Sequence, residues 1–204
     1  GMVCPGVVTR SVRDSAAVLD AISGYVPGDP YTAPPPRTSF LKAAQSRRKK
    51  LRIAYWPKAL FGTNTHTACE HALEESITLL RDLGHDVEAA FPSFDREALI
   101  PAYFTIVASH VAADVRWAEN QMGRSAEPDE FEPTTWFLKA LGETQTALDL
   151  VEAENTIHQA GRDVARLFEH YDVFVTTTTA QPPVRVGELD LRWWEEAGIK
   201  ALQK

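Results

Sequence analysis

Tyr171-Asp-Val-Phe-Val-Thr-Thr-Thr-Thr-Ala-Gln-Pro-Pro-Val-Arg-Val-Gly187 is the stretch on which the reading of the fold turns. Val173, Phe174 and Val175 form a short apolar run, β-branched and aromatic, with no polar alternation. Such a run suits a strand buried on both faces, as strands of parallel sheets are. A charge-rich helical segment stops just upstream at Glu169-His170. Downstream, four threonines lead into Ala180, Gln181 and two prolines that cannot continue a hydrogen-bonded ladder. In α/β proteins a loop at the carboxyl end of a buried parallel strand is the usual address of a ligand site. Thr177, Thr179 and Gln181 are accordingly the candidate substrate-contacting residues. The same residues also read as a plain strand end turning on prolines.

Working outward, Leu51-Arg-Ile-Ala-Tyr-Trp56 reads as a strand. Asn64 or Thr65 can cap a helix that runs to about Leu83, with Cys69, Ala72, Leu73, Leu80 and Leu83 on one face. Gly84 ends that helix, and Asp86-Val-Glu-Ala-Ala-Phe91 reads as the next strand. Strand, helix and strand at this spacing predict a βαβ unit with parallel pairing. Asp95 caps a further helix to about Met122, and two helical segments, roughly Thr134–Leu141 and Thr144–Glu169, return the chain to Val173. Near the start, Ser11 to Asp14 has the form of a capping box, and Val12, Ala16, Leu19 and Ile22 recur at helical spacing before Gly24. A proline-rich connector from Tyr25 to Arg37 follows. The expected fold is α/β: a single helix-rich domain over 1–204 with a small, mostly parallel sheet.

Hydrophobic residues make up 44% of the 204 and charged residues 24%, the composition of an ordinary globular chain. The formal net charge of −7 argues against a nucleic-acid partner. The single basic cluster, Arg47-Arg48-Lys49-Lys50, directly precedes a strand and reads as a solvated linker end. Two cysteines, Cys4 and Cys69, are too few for a disulfide framework, so reduced thiols in a cytoplasm are expected. No signal peptide or membrane-length apolar run is read, so no membrane partner is expected.

His66, Cys69, Glu70 and His71 crowd the start of one helix, and the first three share a face. Imidazole, thiolate and carboxylate all bind zinc. The order fits neither His-Glu zinc-helix pattern, and polar residues of a first turn explain the cluster better, so no metal is assigned. The serines are scattered, with no Gly-x-Ser-x-Gly elbow and no Gly/Ser-rich loop. No dinucleotide or phosphate-binding glycine motif occurs, and no cofactor is implied. Asp190, Glu195 and Glu196 lie near Trp193-Trp194, but paired carboxylates there read better as an amphipathic helix turn. From the residues alone, no catalytic apparatus is assigned.

Several stretches, taken in order, resemble the amidase signature family. They are Val8-Thr-Arg-Ser-Val-Arg-Asp-Ser-Ala-Ala-Val-Leu-Asp-Ala-Ile-Ser-Gly24 with Pro27-Gly-Asp-Pro30, Lys50-Leu-Arg-Ile-Ala-Tyr55, and Leu79-Leu-Arg-Asp-Leu-Gly-His-Asp-Val-Glu88. His158-Gln-Ala-Gly-Arg-Asp-Val-Ala-Arg-Leu-Phe-Glu-His-Tyr-Asp-Val173 and the threonine run with Gln181-Pro-Pro183 complete the likeness, which spans about residues 7–190. The resemblance implies a hydrolase that cleaves small-molecule carboxamides with a Ser–Ser–Lys triad. It places all three triad residues upstream of Val7, so no position here inherits a catalytic role. Thr177 and Thr179 stand where the family favours proline and an apolar residue. Three readings follow: part of an amidase, inactive by itself; a non-catalytic binding or assembly module on the same scaffold; or, apart from the resemblance, a small α/β domain binding a ligand at the threonine loop. Segments that pack against this one in the family would leave an open sheet edge and an apolar face, so self-association, most simply as a homodimer, is expected.

Overall fold

The computed structural model describes residues 6–46, 49–59, 64–127, 130–195 and 198. The chain divides into two compact units, Gly1–Lys49 and Lys50–Lys204. In the first, helix α1 (Val12–Ile22) begins where the Ser11 hydroxyl accepts the Asp14 N–H, as the capping-box pattern predicts. A short helix that the sequence pattern does not announce, α2 (Phe40–Ala44), starts at Ser39. Its first amides, Phe40 and Leu41, donate to the Asp20 carboxylate of α1 at 2.6 and 2.9 Å. A carboxylate set against free N-terminal amides is a favourable pairing.

The second unit is built on strands β1 (Arg52–Trp56), β2 (Asp86–Ala89) and β3 (Val173–Thr176) in the order β2-β1-β3. Both pairings are parallel, with Ile53 beside Val87 on one side and Val173 on the other. Burial is deepest on the middle strand, where Ile53 is 2% exposed and Ala54 fully enclosed. Helix α3 (Thr67–Asp82) joins β1 to β2 and buries Leu73 and Ile77. It starts at His66 rather than at Asn64 or Thr65, because the His66 Nδ1 accepts the Ala68 N–H at 3.1 Å and takes the capping role. Beyond the strands, Trp56, Phe91 and Phe94 form a chain of tilted rings 4.8 and 5.5 Å apart, with Phe174 of β3 edge-on to Phe91. The amino end of the sheet is held by polar contacts. The Asp172 N–H donates to the Arg52 carbonyl at 2.8 Å, and the Asp172 carboxylate accepts the Arg52 N–H at 2.8 Å and pairs with its guanidinium at 3.1 Å. The Tyr171 hydroxyl donates to Glu88 at 2.6 Å, linking the approach to β3 with β2. Lys50 pairs with Asp86, while Arg47 and Arg48 of the basic cluster lie outside the described residues.

Three helices carry the chain from β2 to β3. They are α4 (Arg96–Met122), capped by Asp95; α5 (Pro133–Thr144); and α6 (Ala147–Leu167), opened by a reciprocal capping box between Thr146 and Asp149. Ala102 and Ile106 of α4 pack on Leu150, Ala153 and Ile157 of α6. Against α5, Gly142 lies so close to α4 that an added Cβ would stand 2.1 Å from the Ala108 carbonyl oxygen. By length and composition α4 could cross a membrane, a feature the sequence reading passed over. Its apolar Ala102, Ile106, Ala108, Ala112 and Val115 are instead buried within the protein.

Gly142→Ala should therefore push α5 off α4 and destabilise the protein by about 1–3 kcal/mol, the usual cost of overpacking, or more because the obstacle is backbone; urea titration followed by circular dichroism checks it. Asp172→Asn tests the sheet end. The Asp172 carboxyl is held below its ordinary value by hydrogen bonds from the Arg52 side chain and backbone. Its contribution is therefore present above the usual carboxylate range of about 4 and is lost as pH falls through the folded value. The melting temperatures of the wild type and Asp172→Asn should differ at pH 7 and converge in acid.

Candidate functional site

The strand order locates the site. From β1 the chain crosses through α3 to β2 on one side, and through α4, α5 and α6 it returns to β3 on the other. Connections leaving neighbouring parallel strands in opposite directions open a crevice at their carboxyl ends, where α/β sheets hold ligands. Here the threonine loop after β3 meets the amino end of α3. The His66 N–H donates to the Ala180 carbonyl at 2.8 Å, and the Gln181 side-chain amide donates to the Asn64 carbonyl at 3.0 Å. With its Nδ1 accepting from Ala68, His66 joins both structures through backbone and side chain at once.

Between this loop and α3 lies a groove of about 290 Å³. Cys69, Ala72, Leu73 and Ser76 of α3 form one wall, and the run from Val175 to Thr179 forms the other. Thr177, half-buried, and Thr179, exposed, thus line the groove, while Gln181 stands outside it as the clamp to Asn64. The Thr179 hydroxyl donates to the Gln181 carbonyl at 2.7 Å, which braces the turn before the prolines. Ser76 donates its hydroxyl to the Ala72 carbonyl. No carboxylate, imidazole or amine is among the described residues that line it. The walls can therefore bind an uncharged group through hydroxyls and apolar surface. They place no base beside a hydroxyl, and a hydroxyl without one is a weak nucleophile.

Other candidates fall apart in space or into structural tasks. His66 is a helix cap, Cys69 faces the groove, and His71 lies on the outer side of α3 with Glu74 and Glu75. No group of three metal-ligating side chains occurs among the described residues. Glu195 accepts the Arg192 N–H, closing a helical turn, and Trp193 and Trp194 stack edge-on; Glu196 lies outside the described residues. Two polar atoms near the carboxyl end of β1, Trp56 Nε1 and Thr65 Oγ1, are buried without a partner among the described residues. The sequence carried no sign of them, nor of the part His66 plays, beyond a histidine standing just before a helix.

The profile of the amidase family matches residues 1–200. The chain belongs to the amidase family. A Pseudomonas putida amidase is 29% identical over 199 residues, a match covering 97% of this chain and 41% of that protein. The 6-aminohexanoate-cyclic-dimer hydrolase of Paenarthrobacter ureafaciens is 26% identical over 196 residues, covering 94% of this chain and 39% of the relative. A solved 6-aminohexanoate cyclic dimer hydrolase superposes with a TM-score of 0.81 at 27% identity, over 90% of this chain and 38% of the other. A bacterial aryl acylamidase of the amidase signature family shares the fold, with a TM-score of 0.74 at 16% identity. This amidase chain spans about two fifths of the length of the curated relatives it matches. The likeness read from Val8–Gly24, Leu79–Glu88 and His158–Pro183 is thereby borne out, as is the helix-rich α/β fold with a parallel sheet.

Gln181→Ala in this amidase chain should free the threonine loop from α3. One lost hydrogen bond, about 0.5–1.5 kcal/mol net, corresponds to roughly 2- to 13-fold faster amide exchange at His66 and residues 177–181. Hydrogen–deuterium exchange read by mass spectrometry checks it, with α6 as the unchanged reference.

Proposed function

We propose that this chain supplies one wall of a carboxamide-hydrolysing site whose nucleophile and base come from polypeptide outside it. The observation that carries the reading is the groove between α3 and the threonine loop, which offers hydroxyls and a neutral apolar surface but no base. A carboxamide is uncharged and polar at one end only, and the lining suits it: Thr177 and Thr179 toward the amide, Leu73 and Val175 toward its apolar part. Acyl transfer also needs an activated nucleophile and donors for the oxyanion. Losing them forfeits most of an acceleration that is at least about 10⁶-fold in typical enzymes. The relatives are named as amidases and as a cyclic-dimer hydrolase, which supports amide chemistry for the complete site. The cytoplasm is proposed as the compartment from the two-cysteine composition. A non-catalytic binding or assembly module that kept the scaffold is the second reading, and the same bare groove favours it.

The pure chain is expected to turn over no member of a panel of aryl, aliphatic and cyclic amides above background. Turnover that disappears on substituting one serine of this chain would overturn the proposal. A chimera separates the two readings. This chain is substituted for the matched two fifths of the Pseudomonas putida amidase, and its folding is verified by a cooperative melt. It should hydrolyse amides, and Thr177→Val in it should raise KM about 3- to 10-fold, the worth of one hydrogen bond. A folded but inert chimera moves the module reading ahead.

A further inference from the structure

The acceptor that opens α3 is an imidazole, although Asn64 and Thr65, two conventional capping residues, stand just before it. The Ala68 N–H donates to His66 Nδ1 at 3.1 Å. The His66 backbone is tied in both directions. Its carbonyl accepts the Cys69 and Glu70 amides at 2.9 and 3.0 Å, and its N–H donates to the Ala180 carbonyl at 2.8 Å. One residue thus belongs at once to the first turn of α3 and to the fastening of the threonine loop. An amide or hydroxyl cap keeps its acceptor at any ordinary pH. A ring nitrogen accepts only while unprotonated, because imidazolium carries a donor on each nitrogen. His66 is exposed, so its ring meets the pH of the bulk solvent. Once protonated, its Nδ1–H would face the Ala68 N–H, donor against donor. A positive charge would also stand at the positive end of the α3 dipole. Both effects turn the ring away.

We propose that His66 is a pH-sensitive clamp on the groove. With the ring neutral it fastens the threonine loop to α3; on protonation the first turn of α3 frays and the loop slackens. The fastening is therefore present on the alkaline side of the imidazole titration and lost on the acid side. Few other charged groups surround it. On α3, Cys69 faces the groove, Glu70 follows four positions on, and His71 lies on the outer side. Lys58 is the one ionisable side chain between Trp56 and His66, and none occurs from Thr176 to Val184. Nothing on the loop side therefore answers a charge on the ring. The bond from the Gln181 side chain to the Asn64 carbonyl contains no titrating atom, so the loop loosens in acid without detaching. As regulation of a substrate wall, the clamp rests on the function proposed above. Its readout is amide exchange, which a failure of that function leaves untouched.

Amide exchange of the full chain, resolved by NMR and corrected for its intrinsic pH dependence, tests this between about pH 8 and pH 5. Protection of the His66 and Ala68 amides should fall about 2- to 30-fold on acidification, the worth of one helix cap. The fall should follow the titration of the His66 ring itself, read from its Cε1 proton shift. His66→Asn supplies an acceptor that does not titrate, and protection in that variant should be the same at both pH values. His66→Ala should show the low, acid-like protection throughout. If His66→Asn fails to give a native circular dichroism spectrum, the match between lost protection and the wild-type ring titration decides the matter. Equal protection at both pH values in the wild type overturns the proposal. So does a loss that survives in His66→Asn or follows a titration other than that of His66, which would assign it to Glu70, His71 or a general loosening in acid.

Discussion

Everything in the larger unit depends on β1 pairing in parallel on both of its edges. A strand in that position has no free backbone edge, and Ile53 and Ala54 are the most enclosed of its residues. Parallel neighbours cannot be joined by a tight turn, so each pairing demands a crossover. The first is met by α3 alone. The second takes the excursion through α4, α5 and α6, whose packing on one another makes a second apolar core distinct from that of the strands. The Arg52–Asp172 pair marks where the long excursion is brought back: side chain and backbone together set β3 in register against β1.

The same constraint produces the groove. At the carboxyl edge the β1–α3 loop meets the loop that follows β3, and hydrogen bonds join the two. His66 and Gln181 make those bonds, each reaching backbone carbonyls. Fastening the loop through main-chain groups leaves Thr177 and the thiol of Cys69 turned to the groove rather than spent on architecture. Bond cleavage needs a base and oxyanion donors that the wall does not hold, which is consistent with a chain covering two fifths of its relatives.

Scattered exposed hydrophobic residues such as Ile100, Phe104 and Met122 of α4 are normal on a folded surface. On α4 the two sides that meet α5 and α6 use small residues, alanine above all, and permit close approach.

Local rules were enough for the elements. Ser11 and Asp95 announce helix starts through oxygen acceptors for free amides, whereas α6 is capped by Thr146, two residues beyond the start at Thr144 that the pattern suggests. Unalternating β-branched runs announce buried strands, and the spacing of β1, α3 and β2 requires a parallel pair. The order of quoted segments was sufficient to place the chain in its family. Sequence did not reveal α2, whose five residues are stabilised by Asp20 some twenty positions away. Nor did it reveal that His66 rather than Asn64 or Thr65 caps α3, because the choice depends on the Ala180 carbonyl. The division of Thr177, Thr179 and Gln181 into groove wall, brace and clamp was equally out of reach. Capping, periodicity and strand propensity act between residues a few positions apart, so they are written locally. The groove and its clamp are relations between residues over a hundred positions apart, and only the folded chain brings Gln181 within 3.0 Å of the Asn64 carbonyl.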